Sequence, residues 1–118
     1  YIHSEAYAAG ELKHGTIALI EEGTVVVALC TVKNLFDKML SNIKEVKARG
    51  AVVIAVAEEG HTEIEKEADY VIYLPKCDEL VMPSEVVVPL QLFSYYVSSL
   101  KGLDIDKPRN LAKSVTVE

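Results

Sequence analysis

The chain has 118 residues, room for one domain around one core, and a domain of this size buries roughly two-thirds of its unfolded surface. Half the residues are apolar and a quarter charged, and the net charge of −6 argues against a nucleic-acid partner, which needs a basic footprint, though not against a small anionic ligand. No apolar run reaches the roughly 18 to 20 residues of a membrane span and no secretory signal opens the chain, which predicts a cytoplasmic protein with no membrane partner.

Tyr1 in place of methionine reads as a cut or processed end. Residues 4–15 read as a short helix: Ser4 suits the N-cap, the alanines favour the helix, Lys13 and His14 fall in its last turn, and Gly15 suits the left-handed position beyond it. Gly10 weakens the middle and is the kind of residue that lets another backbone or a ligand come close. A turn at Glu21-Glu22-Gly23 leads into residues 24–30, a continuous apolar run of the sort that is covered on both faces of a parallel sheet. Asn34 then caps a helix to about Arg49, with Leu35, Phe36, Met39, Leu40, Ile43 and Val46 on one stripe, and Gly50 stops it. Residues 51–57 form a second apolar strand, left by Glu58-Glu59-Gly60. Thr62 caps a single polar turn to about Ala68, and residues 70–74 form a third strand ended by Pro75. A loop through Asp78 and Glu79 leads to Pro83 and Ser84, where a long apolar helix begins that runs to Lys101. Pro89 kinks that helix or marks its true first turn, and Gly102 ends it.

Strands alternating with helices predict an α/β fold with a short parallel sheet and right-handed crossovers. Three strands are few for this class, so further cover is expected from residues preceding Tyr1 or from another chain. Residues 103–118 read as an ordered polar tail. Cys30 and Cys77 read as reduced, structural thiols.

Two segments carry chemistry. Glu5, Glu11, Lys13 and His14 place carboxylates, an ammonium and an imidazole within a turn or two, enough for general acid/base work. By spacing alone the plainer reading is a solvated helix face, and His3 reads equally as a lone structural histidine. Arg109 and Lys113 are cations fit for a phosphate or sugar oxygen, against the plainer reading of a solvated terminus. No glycine-rich phosphate loop and no Cys/His metal spacing is present, so no metal or cofactor is predicted.

Tyr1-Ile2-His3-Ser4-Glu5-Ala6-Tyr7-Ala8-Ala9-Gly10-Glu11-Leu12-Lys13-His14-Gly15 resembles the opening of the last sugar-isomerase (SIS) stretch of the glucosamine-6-phosphate synthase family. Asp106-Lys107-Pro108-Arg109-Asn110-Leu111-Ala112-Lys113-Ser114-Val115-Thr116-Val117-Glu118 resembles that family's C-terminus. Asn42 through Gly50 and Val88-Pro89-Leu90-Gln91-Leu92 also fit, so the resemblance spans the chain. It implies a partial SIS domain, truncated at its N-terminus, over residues 1–102, and a tail over 103–118 that closes on the sugar. The implied reaction makes glucosamine 6-phosphate from fructose 6-phosphate and ammonia drawn from glutamine, with no metal or nucleotide, in a homodimer. In that family the histidine matching His14 serves the neighbouring subunit's sugar site and helps open the ring. The lysine matching Lys113 lies in the closing tail, and Ala112 beside it falls to substrate binding.

The sequence also departs from the pattern. Thr16 stands where the family usually has proline, which is expected to loosen the loop presenting His14. The family's proton-transfer glutamate and a nearby lysine match positions before Tyr1. Its phosphate loop belongs to the preceding SIS domain and its cysteine nucleophile to a glutaminase domain, so the 118 residues alone are expected to be inactive. The alternative is a non-catalytic SIS module that binds a sugar phosphate or mediates oligomers.

Overall fold

The computed structural model describes residues 1–109 of the chain. The apolar runs become three parallel strands, β1 (Val25–Cys30), β2 (Val52–Glu58) and β3 (Tyr70–Leu74), in the order β1-β2-β3. Val25 lies opposite Val52, and Ile54 opposite Tyr70. A helix α1 (Phe36–Lys47) connects β1 to β2, and a helix α2 (Met82–Leu100) follows β3. The fold is α/β, as the alternation of elements predicts.

Register assigns the faces. Ala28 and Cys30 of β1, Val53, Ala55 and Ala57 of β2, and the inward side of α1 (Phe36, Ile43, Val46) form the main core, with Ile64 closing it from the β2–β3 connection. The small alanines let α1 lie close to the sheet. On the opposite face Val56 and Leu74 meet Met82 and Val86 of α2, with Ile72 and Leu90 packed around them. This second core covers only the C-terminal end of the sheet. Val25 and Tyr70 stay 57% and 64% exposed, and Val27 and Leu29 are exposed as well. Cover on both faces was expected for β1; within the described residues it has cover on one.

Helix ends depart from the sequence reading in a consistent way. Residues 4–8 are not helical, and only Ala9–His14 winds, as a 3-10 helix whose N-cap position is Ala8, with no side-chain cap. Ser4 is therefore no cap: a short segment with no buried residue gains too little from packing to offset helix nucleation. Gly15 has φ 162°, an extended value, instead of the left-handed one expected. A side chain at Gly10 would meet nothing within 4 Å among the described residues, so no approach of their backbone explains it. Asn34 lies inside a 3-10 turn (Lys33–Leu35) that precedes α1, and Leu35 takes the cap position. There the Leu35 N–H already donates to the Val32 carbonyl at 3.0 Å, which leaves less for a side-chain cap to satisfy. Leu35 is exposed and outside the stripe. Thr62 likewise does not cap; His61 holds that position and stacks on Phe36, ring centroids 4.3 Å apart. Asp78 organises the entry to α2, accepting the Leu80 N–H on its carboxylate at 2.9 Å and the Val81 and Met82 N–H groups on its carbonyl.

Gly50 is required twice over. It is left-handed (φ 87°), and a Cβ there would stand 2.8 Å from the backbone of Glu22. Its carbonyl accepts the Gly23 N–H at 2.9 Å, which ties the turn before β1 to the turn before β2. Helix α2 runs unbroken through Pro89, whose missing N–H deprives the Glu85 carbonyl of its helical donor.

Asp69 staples α1 to the sheet. Its carboxylate accepts two bonds from Lys47 Nζ (2.6 and 2.7 Å) and one from the Val53 N–H (2.7 Å). The Lys47 ammonium, and then the Val53 amide, hold the Asp69 carboxyl below its ordinary value. A depressed carboxylate contributes stability that is present above the unfolded pKa and is lost as pH falls through the folded one. We expect Asp69→Asn to lower the urea midpoint at neutral pH, and the gap to the unmodified chain to close as pH drops below the ordinary carboxylate range. A gap of constant size across that range would remove the charge from the explanation.

Candidate functional site

The N-terminal stretch divides where the sequence reading saw one cluster. Glu5 accepts from the Tyr7 hydroxyl and pairs with His3 at 3.2 Å, and Tyr7 followed by His3 holds its carboxyl below the ordinary range. Glu5 and His3 thus partner each other on an exposed, non-helical strip, apart from the 3-10 helix that carries Glu11, Lys13 and His14.

His14 closes that helix. Leu12, two residues earlier, packs against the main core and fixes the turn, while His14 is exposed. Among the described residues the His14 imidazole has no side-chain hydrogen bond and no ion pair. The arrangement offers an exposed ring on a stem held by the packing of Leu12. Thr16 starts a second 3-10 helix (Thr16–Leu19), a first-turn position where a proline's missing N–H also costs nothing. The turn after His14 therefore forms with threonine in place.

At the other end of the chain, Ala112 and Lys113 lie outside the described residues. Their base does not. Arg109 places its guanidinium 3.7 Å from the centroid of the Tyr1 ring, and its backbone N–H donates to the Tyr1 hydroxyl at 2.8 Å. These contacts border a groove between the C-terminal half of α2 and residues 103–109, lined also by Ser94, Tyr95, Ser98 and Asp104. The Asp104 carboxylate accepts the N–H groups of Asp106 and Lys107 at 3.0 and 2.9 Å, folding the approach to Arg109.

Sequence reasoning missed a third feature, a buried carboxylate. Glu58, read as part of a turn, is the last residue of β2 and is 4% exposed, with Lys33 Nζ 3.6 Å away. It stands at the C-terminal end of the central strand, the edge where open α/β sheets place their ligands. The signal available was position: a polar residue directly after an apolar strand often stays in register. Near it, burial first and then Glu85, Glu58 and Asp78 push the Cys77 thiol up. Burial pushes the Cys30 thiol up to about 11. Both thiols are free and poor nucleophiles near neutral pH; Cys77 is only part-buried, less enclosed than the sequence suggested. Among the described residues no group of three or more His, Cys, Asp or Glu side chains is placed to hold a metal, and no helix is long and apolar enough to cross a membrane.

Comparison with known proteins places the chain in a family. The chain is 63% identical over all 118 residues to the glutamine–fructose-6-phosphate aminotransferase (isomerizing) of Caldanaerobacter subterraneus subsp. tengcongensis, and 64% to that of Clostridium tetani, covering 19% of each. Against the enzyme of that name from Thermus thermophilus it is 58% identical and covers 20%. It spans about a fifth of the length of the curated relatives it matches. Among solved structures, the C-terminal domain of glucosamine-fructose-6-phosphate aminotransferase from Francisella tularensis superposes with a TM-score of 0.80 at 38% identity, over 91% of this chain and 30% of that one. The profile of the SIS domain matches residues 1–101, and the chain belongs to the SIS domain family.

Proposed function

We propose that this chain is the C-terminal part of the isomerase half of an enzyme that makes glucosamine 6-phosphate from fructose 6-phosphate and glutamine-derived ammonia. The observation that carries the reading is identity of 63% along the whole chain, with no portion left unmatched, to a relative named for that conversion. Residues 1–102 are the SIS portion and 103–118 the tail. His14 donates and accepts a proton as the sugar ring opens, and its exposure suits delivery to a neighbouring subunit. Lys113, with Ala112, closes over the bound sugar and excludes water. The enzyme works in the cytoplasm.

Full-length protein carrying this sequence should form glucosamine 6-phosphate from fructose 6-phosphate and glutamine. The 118 residues by themselves should show no turnover with fructose 6-phosphate and either glutamine or ammonia, because the reaction needs a base and a phosphate site that they do not supply. Turnover that co-purifies with the 118-residue chain would overturn the division of labour, and a full-length protein inert toward the sugar would overturn the function.

The enzyme is a homodimer in this reading. Support comes from the uncovered face of β1 and the apolar groove that continues it, lined by Leu29, Val32, Met82, Val86 and Val87. Apolar surface of this kind is usually met by another surface, and two-fold pairing is the commonest arrangement. Sedimentation of the full-length protein should give a dimer; a monomer at high concentration refutes it.

A further inference from the structure

The segment that presents His14 is anchored on both sides of the ring. Leu12 stands two residues before His14 and Ile20 six residues after it; both are half-buried and both pack against the main core. Helix α1 lies alongside the 3-10 helix Ala9–His14 that carries the first anchor. No residue from Lys13 to Leu19 is buried, so the anchors are the two feet of this segment. Backbone bonds link the stretch between them. The Gly15 N–H donates to the Leu12 carbonyl at 3.3 Å, the Ala18 N–H to the Gly15 carbonyl at 3.0 Å, and the Ile20 N–H to the Ile17 carbonyl at 3.1 Å. Gly15, directly after His14, is thus bonded through its N–H toward one anchor and through its carbonyl toward the other. Resting on the proton transfer proposed for His14, we infer that Leu12 and Ile20 are positioning residues: they clamp both feet of the segment to the core and so fix where the exposed imidazole stands.

The two anchors are not equal. Two residues of extended chain reach about 7 Å, and six reach about 20 Å. With Leu12 seated, the shorter link ties the ring to the core. Released at Leu12, the ring has Ile20 as its nearest core anchor, since no residue from Tyr1 to Glu11 is buried. The local concentration of a tethered group falls roughly as the −3/2 power of tether length, so the longer tether dilutes the imidazole about five-fold. Misorientation adds to that loss, because a displacement of about 1 Å at a reacting group costs up to about 100-fold. Loss of Ile20 leaves the two-residue link in place and is expected to cost less. Methionine nearly matches leucine in volume, so Leu12→Met keeps the anchor that Leu12→Ala removes.

The test uses the full-length protein with Leu12→Ala, Leu12→Met, Ile20→Ala and His14→Ala, and with Leu12→Ala and His14→Ala combined. Leu74→Ala, which truncates a buried side chain in the core on the other face of the sheet, controls for lost stability. Exchange of the Gly15, Ala18 and Ile20 amides reports the clamp without reference to activity. It should speed up in Leu12→Ala and Ile20→Ala but not in Leu74→Ala. On the cyclic sugar, Leu12→Ala should lower kcat by about five- to 100-fold with KM little changed, and Ile20→Ala by less. Leu12→Met and Leu74→Ala should each change kcat by less than about two-fold. In the His14→Ala background Leu12→Ala should cost nothing further, because the ring it positions is gone. Ile20→Ala, the milder change, carries the same test if Leu12→Ala does not fold. An equal cost in both backgrounds, or an equal cost from Leu74→Ala, assigns the loss to folding and overturns the proposal. Unchanged amide exchange overturns it by showing no clamp. If His14→Ala is itself silent, the proton-transfer role falls and this inference falls with it, whereas a costly His14→Ala beside a silent Leu12→Ala overturns the clamp alone.

Discussion

If His14 has the proposed role, replacing it by alanine in the full-length protein is expected to lower kcat on the cyclic sugar by roughly 100- to 10,000-fold, the usual contribution of a general acid/base group. KM should move much less, since a proton shuttle acts on the transition state more than on the bound ground state. The structural basis is the division of labour within one turn. Leu12 is held in the core and His14 projects outward. The change to alanine removes an exposed ring that has no bond to its own chain among the described residues, so stability should hardly change. The sharper experiment mixes two inactive variants. One lacks His14, and the other lacks the base that the proposed function expects before Tyr1. If His14 serves its neighbour, a mixed dimer holds one site with an intact base and an intact histidine, and partial activity returns once subunits exchange. Demonstrated heterodimers with no recovered activity would place His14 in its own subunit's chemistry or in none.

The largest effect on stability is expected at Ile64. This residue sits in a five-residue 3-10 helix, Thr62–Lys66, whose other members are polar or charged, yet it is fully buried and plugs the main core between α1 and the sheet. Truncating a buried isoleucine to alanine typically costs about 2 to 5 kcal/mol, the transfer term plus the cavity left behind. A domain of this length has in total on the order of 5 to 15 kcal/mol. Ile64→Ala should therefore shift the denaturation midpoint strongly, and Leu19→Ala, at a residue 70% exposed, should barely shift it. Comparable losses at the two sites in urea titrations would contradict this placement of the core.

Ile64 also shows what the sequence conceals. Strands β1 to β3 and both helices were legible because each is written as a run or stripe of apolar residues longer than chance provides. One isoleucine among Thr62, Glu63, Glu65 and Lys66 has no period, so nothing local distinguishes a plug from a wet turn. Helix starts failed for a related reason. Ser4, Asn34 and Thr62 are good caps by residue type, but backbone bonds and packing chose Ala8, Leu35 and His61 instead. That cover would be short was legible from the count of three strands, but which face of β1 stays open was not, because an apolar run without alternation does not distinguish its two faces. Site residues were less legible still. His14 and Lys113 are single polar residues whose partners lie outside their own segment, and only the resemblance of the two end motifs singled them out. The contact between Tyr1 and Arg109 depends on three-dimensional closure and carries no local sign, and the only local sign of the buried Glu58 is its place directly after an apolar strand.

Strand β1 lies at one margin of the sheet, and its outer row of N–H and C=O groups has no partner among the described residues. Its six residues, from Val25 to Cys30, contain no charge, proline or glycine. Such a segment is a template for another strand, and if freed from its natural surroundings it invites the growth of cross-β fibres. Glu21 and Glu22 flank it on one side and Lys33 on the other, where charge discourages stacking of like segments. These three charges act as gatekeepers. Work on the 118-residue chain should keep them, since neutralising them would favour insoluble product even where the fold itself is unharmed.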